Sequence, residues 1–282
     1  MQDKRTNTPL KLVLGAAWIF GLTTAGFAPA WAQEDAGQAV GASTATGQDK
    51  GGPKDLAPTA GTYMRIELGA AQPSAGDASW LPPGYPADPQ VFFDLDLDSA
   101  AMGSIAIGHN YGNGWRAEAA LNLFGSADFS GPWSYTAPAT PGPHADVEGA
   151  VSSVALFANG YYDFAMAGKA TPFLTAGLGV ARNRMDDWTR INPDSGRTRR
   201  SFEGDTDTSL AWTVGAGVAW DVGPVLGSAP AKLELTWRYF DLGSVTGGTT
   251  PLPGSGAGGN PVEALNFDLT DQVISIGLRI PL

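Results

Sequence analysis

The sequence lacks cysteine and long apolar runs. With no Cys among its 282 residues, it has no disulfide, no Cys-based zinc site and no lipid on an amino-terminal Cys. Although 43% of the residues are hydrophobic, no run reaches the roughly 18 apolar residues that a membrane-spanning helix needs. Histidine is also scarce, with two in the chain, and 16% of the residues are charged. The absences argue against disulfide scaffolds and helical membrane proteins.

The amino terminus carries the longest apolar segment, Leu12–Phe27, preceded by three basic residues. The small-x-small motif Ala-Trp-Ala follows it, which predicts that residues 1–32 are a secretory signal peptide cleaved between Ala32 and Gln33. The alternative is an uncleaved anchor helix. Removing residues 1–32 takes three basic residues and one acidic residue from 17 and 28, leaving 14 against 27 and a net charge of −13. So acidic a chain is not expected to bind nucleic acid.

Residues 33–60 are rich in Gly, Ala, Thr and Asp and have no apolar period, so we expect a disordered periplasmic leader. From Gly61 the pattern changes to short segments in which apolar and polar residues alternate. The clearest segment is Ser104–Phe124, where two alternating stretches flank Gly112-Asn113-Gly114. Alternation puts one set of side chains on each face of a strand. This segment is therefore predicted to be a β-hairpin.

The length of the hairpin loop decides which faces match. A two-residue turn would put Ile105 and Ile107 on the face that carries Arg116 and Glu118. A three-residue loop with Gly114 left-handed instead pairs Ile107 with Ala119 and Ile105 with Leu121. Only the second register leaves one face wholly apolar. The charged face then lines an enclosed interior. The apolar face points outward, where the core of the protein does not cover it.

The same alternation recurs through residues 61–282, with connections that are long and short in turn. The predicted long loops are Gln72–Gln90, Gly125–Asp146, Asn183–Asp207 and Gly243–Asn266. This pattern predicts an all-β fold, an eight-stranded antiparallel up-and-down transmembrane β-barrel with long extracellular loops and short periplasmic turns. A soluble β-sandwich would explain the alternation, but not the signal peptide and the loop asymmetry together. Seven glycines on the inferred inner face would make room for enclosed charged side chains: Gly69, Gly108, Gly177, Gly179, Gly215, Gly217 and Gly277.

Four segments carry a resemblance to a known family. They are Gly108–Glu118, Pro172–Val180, Trp212–Ala219 and Trp237–Gly243, with Asn159-Gly160-Tyr161-Tyr162-Asp163-Phe164 in addition. Over residues 61–282 the chain resembles the opacity-type, OmpA-barrel-like small outer-membrane proteins of Gram-negative bacteria, a porin-family group. The resemblance implies an outer-membrane barrel inserted by the barrel-assembly machinery. The family usually ends on Phe, whereas this chain ends on Leu282. The alternating apolar positions before it are intact, so assembly is expected to survive, with lower efficiency. No ligand site of the family carries over.

Seven charged residues fall on the inner face of the predicted barrel: Arg65, Glu67, Arg116, Glu118, Glu234, Arg238 and Arg279. Because an unpaired charge away from water is costly, we expect them to pair across the lumen as a polar network that fills it. The alternative is an ion pathway. Outward aromatic residues are expected to form girdles at the membrane interfaces rather than a sugar-stacking site: Trp115, Tyr162, Trp220, Trp237 and Tyr239.

Neither metal binding nor catalysis has a clear motif. Asp94, Asp96 and Asp98 are spaced like calcium ligands, but their alternation with leucines favours a strand, and the Gly and terminal Glu of an EF-hand loop are missing. His109 lies near a short turn and His144 in a Pro-rich loop, and neither is in a Ser-His or acid-His motif. We therefore expect no enzyme, cofactor or metal.

Basic residues of the long loops concentrate in the third, where Arg197, Arg199 and Arg200 form a short run. Guanidinium groups suit phosphates and carboxylates, so the run is a candidate contact for lipopolysaccharide or an anionic host glycan. The alternative is a solvated loop neutralised by its own acids. The sequence predicts a structural and surface-interaction protein of the bacterial outer membrane, acting in envelope integrity or loop-mediated adhesion. The alternative function is a narrow porin-like channel for ions or small solutes.

Overall fold

The computed structural model describes residues 60–82, 89–140, 144–166, 168–226, 230–255 and 259–282. The predicted signal peptide, residues 1–32, and all of the predicted leader except Ala60 lie outside the described residues. The strands belong to the compact unit Lys54–Leu282. No helix in the described ranges has the length and hydropathy needed to cross a membrane.

Eight antiparallel strands form a closed ring. They are β1 (Gly61–Leu81), β2 (Ala100–Asn110), β3 (Trp115–Gly131), β4 (Asp146–Asp163), β5 (Ala170–Met185), β6 (Asp205–Pro224), β7 (Pro230–Thr246) and β8 (Glu263–Pro281). Each strand pairs with the next along the chain, and β8 closes the ring on β1, from Tyr63 opposite Pro281 to Leu81 opposite Glu263. The predicted all-β, eight-stranded antiparallel barrel is confirmed. We call the end with the short connections the turn end and the opposite end the loop end.

The long connections contain more strand than predicted. β1 continues through the predicted loop Gln72–Gln90 as far as Leu81, and β7 continues through residues 243–246. Five short strands lie in the connections: Gln90–Phe93, Asp96–Leu97, Trp133–Ala137, Trp188–Ile191 and Thr198–Phe202. The predicted boundaries were wrong because these extensions lose the apolar outer face that made the alternation visible. Pairing between neighbouring strands continues regardless, as between Ala75 and Leu269.

The register of the β2–β3 hairpin is the predicted one. Ile107 lies opposite Ala119 and Ile105 opposite Leu121. Gly114 has a φ of +90°, and the Tyr111 backbone N–H donates to the Trp115 carbonyl at 3.0 Å, which closes the three-residue loop. A positive φ is cheap only for Gly, so this residue fixes the register.

Inner-face glycines make room mainly for uncharged side chains. A Cβ on Gly108 would overlap the ring of Tyr63, and a Cβ on Gly217 would overlap the ring of Phe173. Of the seven predicted glycines, Gly215 alone has a charged side chain, that of Arg238, within clashing distance of its would-be Cβ. The prediction that these glycines accommodate the charged residues was therefore mostly wrong. Tyr63 is the cross-strand partner of Gly108, and Phe173 is that of Gly217, so each ring lies over the glycine of the neighbouring strand.

Candidate functional site

The outside of the ring is a continuous apolar band, which we call the apolar belt. Its exposed members are Ile66, Leu68, Ile105, Ile107, Leu121, Leu123, Val154, Leu156, Leu174, Leu178, Val180, Leu210, Val214, Leu233, Leu235, Ile274 and Ile276. On β6 the outward positions run from Leu210 to Trp220. With a rise of about 3.3 Å per residue and a tilt of about 40°, that stretch spans about 25 Å along the barrel axis. The height matches the apolar band of an outer-membrane barrel.

Aromatic side chains border the apolar belt at both ends. At the turn end, the ring centroids of Trp115 and Tyr162 are 5.0 Å apart, and Phe164 packs edge-on against Tyr162. Towards the loop end, Trp212 lies 5.4 Å from Tyr239, and its indole N–H donates to Asp241 at 3.0 Å. Rings with one apolar and one polar side suit the two interfaces of a membrane.

All seven charged residues predicted to face inward are buried, at 5% exposure or less. They lie in the turn half of the lumen together with Tyr63, Tyr161 and Asp163. We call these ten residues the ionic network. It contains four arginines and four carboxylates, so the charges balance within the network.

One side of the ionic network centres on Arg65. Its Nε and Nη2 donate to the two carboxylate oxygens of Glu118 at 3.0 and 2.8 Å. A further Arg65 nitrogen pairs with Glu67, whose carboxylate also lies 3.3 Å from a guanidinium nitrogen of Arg238. The Tyr161 hydroxyl donates to Glu118 at 2.9 Å and accepts from Arg238 at 3.1 Å. Two-pronged contacts of this kind fix geometry as well as charge.

The other side joins two arginines to two acids. Arg116 donates through Nε and Nη2 to Asp163, at 2.9–3.1 Å, and lies 3.7 Å from Glu234. Arg279 lies 3.0 Å from Glu234 and 3.5 Å from Asp163. The guanidinium of Arg116 also stacks 4.2 Å above the centroid of Tyr161. This stacking connects the two sides into one network.

Sequence reasoning missed Tyr63, Tyr161 and Asp163 as members of the network. Alternation could have identified all three. Tyr63 lies on the inward face of β1 with Arg65, and Tyr161 and Asp163 lie on the inward face of β4 with Asn159. The seven predicted residues lie on four strands, and Tyr161 and Asp163 entered the prediction only as part of a family motif. Asp163 supplies the fourth carboxylate, without which the predicted set has four arginines and three acids.

The loop half of the lumen differs from the predicted polar filling. Phe124, Phe157 and Phe240 pack edge to face, with centroid distances of 5.2 and 5.6 Å to Phe240, and Met102 is buried beside them in the same cluster. We call these four residues the aromatic plug. The expectation of a wholly polar lumen was wrong here. Phe157 aligns with Gly179, between two belt residues of β5, so these rings lie within the height of the apolar belt. Inward side chains at that level are enclosed by the ring of strands and can pack as an ordinary core.

Above the aromatic plug, the long connections pack together around Trp80, Trp188 and Phe202. We call this part of the protein the cap. Trp188 is fully buried and stacks on Phe202 with a centroid distance of 4.4 Å. Its indole N–H donates to the carbonyl of Gly248 at 3.1 Å, joining the third long connection to the fourth. Trp80, at the end of β1, packs against both rings. The connections are therefore tied to one another by a shared core.

Arg190 links the cap to a further connection. Its guanidinium carbon lies 3.9 Å from the ring centroid of Trp80, and its Nη2 donates to the carbonyl of Ala145 at 2.8 Å. Burial lowers the pKa of Arg190 to about 9, with the nearby charge of Arg199 adding to the effect. That value is above neutral pH, so the residue stays charged and is stabilised by the aromatic face.

The predicted basic run occupies the hairpin of the third connection. Arg197 and Arg199 are exposed, whereas Arg200 is partly buried, with its guanidinium 5.2 Å from the ring of Phe202. Arg184 on β5 aligns with Ser152 of β4, while Ile191 in the hairpin aligns with Asp146, six residues farther from the belt. Six strand residues span about 20 Å, so the run lies well outside the apolar belt.

The remaining candidates of the sequence lie apart from the network. Asp96 and Asp98 line an acidic cavity of about 360 Å³ with Asp128, Glu148 and Asp187. No group of three or more His, Asp or Glu residues in the described ranges is arranged to hold a metal ion. His109 packs on Tyr111, and His144 contacts Trp133 and the Thr140 hydroxyl.

Comparison with known proteins adds distant relatives. No family model matches the chain. An uncharacterised protein of Brucella abortus is 25% identical over 248 residues, covering 78% of this chain and 84% of that protein. The outer membrane protein PagN of Salmonella typhimurium is 25% identical over 153 residues, covering 51% of this chain and 58% of PagN. The outer membrane protein OprG of Pseudomonas aeruginosa is 13% identical, with a TM-score of 0.47 over 81% of this chain and 100% of OprG. The chain is an eight-stranded antiparallel barrel that resembles small outer-membrane barrel proteins of Gram-negative bacteria.

Proposed function

We propose that this chain is an integral protein of the bacterial outer membrane, in which a filled barrel supports the envelope and presents a cap for contacts at the cell surface. The observation that carries the proposal is the apolar belt. A band of exposed Leu, Ile and Val that encircles the barrel far exceeds the apolar patches that soluble monomers tolerate. Hydrocarbon is the solvent that such a band requires.

Several features support the outer membrane in particular. Closed barrels and helices are the structures that satisfy their backbone in lipid, and the aromatic residues border the apolar belt at both ends. The likeness to PagN adds a relative named as an outer membrane protein. Secretion through a signal peptide cleaved after Ala32, and insertion by the barrel-assembly machinery, belong to the same proposal.

Two filled layers favour a structural role over transport. The ionic network occupies the turn half of the lumen, and the aromatic plug occupies the loop half. In this proposal the cap makes the contacts at the cell surface. Its exposed Arg197 and Arg199 lie well outside the apolar belt, where they can bind the anionic groups of a host glycan. Outer-membrane lipid and lipopolysaccharide surround the barrel in this proposal.

A narrow channel is the second candidate, and one observation favours it. Several buried lumen atoms have no hydrogen-bond partner among the described residues, including the amide of Asn159 and the hydroxyl of Thr175. Polar atoms of this kind bind water in the interiors of proteins. A channel would still have to pass the aromatic plug.

Planar-bilayer recordings of refolded protein separate the two candidates. A filled barrel gives no steady single-channel steps, with insertion checked by heat-modifiable migration in gels. A channel through the lumen gives steady steps whose size falls in Phe240→Trp, because a larger ring fills more of the aromatic plug, but not in the belt variant Leu235→Val. Steps with that dependence would replace the structural proposal with transport.

A further inference from the structure

On β5 the alternation of outward and inward side chains continues beyond the apolar belt, and the outward residues there are two arginines. On β5, the outward side chains Leu178 and Val180 are 72% and 46% exposed. The next two outward positions are Arg182 and Arg184, both exposed. Each outward step is about 7 Å along a strand, so Arg182 lies about 5 Å beyond the edge of the belt once the tilt is included. That depth is where the headgroups of a membrane begin.

Hydroxyl side chains flank both arginines. Arg182 lies opposite Thr208 on β6, and Arg184 lies opposite Thr206 on β6 and Ser152 on β4. Among the described residues, Arg182 makes no ion pair, and Arg184 pairs with Asp186 at 3.1 Å. Both partners of that pair are at least half exposed, so it stabilises little and can be exchanged for another anion.

Acidic residues define the outer limit of this surface. Asp186, Asp187, Glu203 and Asp205 line a cavity next to Arg184, on the side away from the apolar belt. These carboxylates repel an anion from the outer side of Arg184. The favourable position for an anion is therefore between Arg182 and the side of Arg184 that faces the apolar belt. An anion is therefore expected at the edge of the belt rather than in the cavity.

We propose that Arg182 and Arg184 bind the phosphate of a membrane lipid whose acyl chains lie against Leu178, Val180 and Leu210. Val180 lies opposite Leu210 on β6, so the apolar surface for the chains begins directly below the arginines. Two guanidinium groups supply charge-assisted hydrogen bonds to the phosphate, and the Thr208 hydroxyl can donate a further one. This inference rests on the proposed membrane location and adds a lipid contact to it.

Protein refolded in a phosphate-free sugar detergent tests the site by calorimetric titration. Three probes separate the sources of binding. Dioctanoyl phosphatidic acid has chains and phosphate, dioctanoylglycerol has the chains alone, and inorganic phosphate has no chains. The wild type is expected to bind the phosphatidic acid about tenfold more tightly than the glycerol lipid. R182Q/R184Q is expected to lose that preference, and Asp186→Asn to increase it by freeing Arg184.

The matched control is K169Q/K232Q, which removes the same charge from the turn end, at the opposite end of the apolar belt, and should keep the preference. Equal preference in wild type and R182Q/R184Q, or its loss in both double variants, overturns the inference. Binding of inorganic phosphate as tight as that of the phosphatidic acid overturns the lipid assignment. Heat-modifiable migration and insertion into vesicles are measured first for every variant, so a failure to insert counts against the membrane location, not against this site.

Discussion

Arg116 holds two carboxylates in the turn half of the lumen. It is 1% exposed and contacts Asp163 and Glu234. Removing one partner of a buried ion pair leaves an uncompensated charge, so Arg116→Leu should lower the free energy of unfolding by about 3–5 kcal/mol. Urea unfolding of protein inserted in vesicles measures the loss.

A double-mutant cycle identifies the cause of that loss. Asp163→Asn added to Arg116→Leu restores the balance of charge in the ionic network. The pair of substitutions should therefore cost clearly less than the sum of the two alone. Additive losses would mean that Arg116 acts through packing on Tyr161 rather than through charge.

At the scale of residues, alternation predicted which side chains face inward, because a period of two is local. Arg65 and Glu67 needed only their own strand to be placed. Their partners could not be read in that way. The pairing of Arg65 with Glu118 joins β1 to β3 past the intervening strand β2, and it depends on the inward curvature of the sheet, which no single strand shows. The aromatic plug was missed for a related reason, since an inward Phe looks the same in a sequence whether it meets charges or other rings.

At the scale of elements, the register of the β2–β3 hairpin was predictable because one glycine and the facing apolar positions determine it. The cap was not predictable. Its contacts join segments far apart in the chain, such as Trp188 and Gly248, and its strands lack the apolar outer face that revealed the barrel strands. The loops predicted from Gly and Pro content turned out to be partly paired strands.

The cap gives a prediction at this scale. Trp188→Ala removes the largest buried side chain of the cap, which should cost about 3–5 kcal/mol of packing within that part of the protein. The loss should open the third connection locally and leave the ring of strands intact. Limited trypsin digestion at Arg190, Arg197 and Arg199 should become several-fold faster, with heat-modifiable migration unchanged.

Trp115→Ala is the matched control, because Trp115 is 55% exposed at the turn end and touches no part of the cap. Its digestion at the third connection should equal that of the wild type. If trypsin digests Trp188→Ala as slowly as the wild type, the connections are held by strand pairing and not by the shared aromatic core.

At the scale of the whole molecule, the closed ring places the two kinds of connection at opposite ends. If the barrel spans the outer membrane, the long connections face the outside of the cell and the short turns face the periplasm. The absence of cysteine makes this testable against a clean background. Ser195 lies at the tip of the exposed hairpin in the third connection, and Asn113 is exposed in the β2–β3 turn.

Single cysteines at these two positions test the orientation with a reagent that cannot cross the outer membrane. Ser195→Cys should be labelled on intact cells, whereas Asn113→Cys should be labelled only after the outer membrane is permeabilised. Both residues are exposed, so a difference between them measures the side of the membrane rather than burial. The reverse pattern would invert the orientation and place the cap, with Arg197 and Arg199, in the periplasm, where a host glycan could not reach it. Labelling of both positions on intact cells would contradict a membrane-spanning barrel altogether, because no bilayer would then separate its two ends.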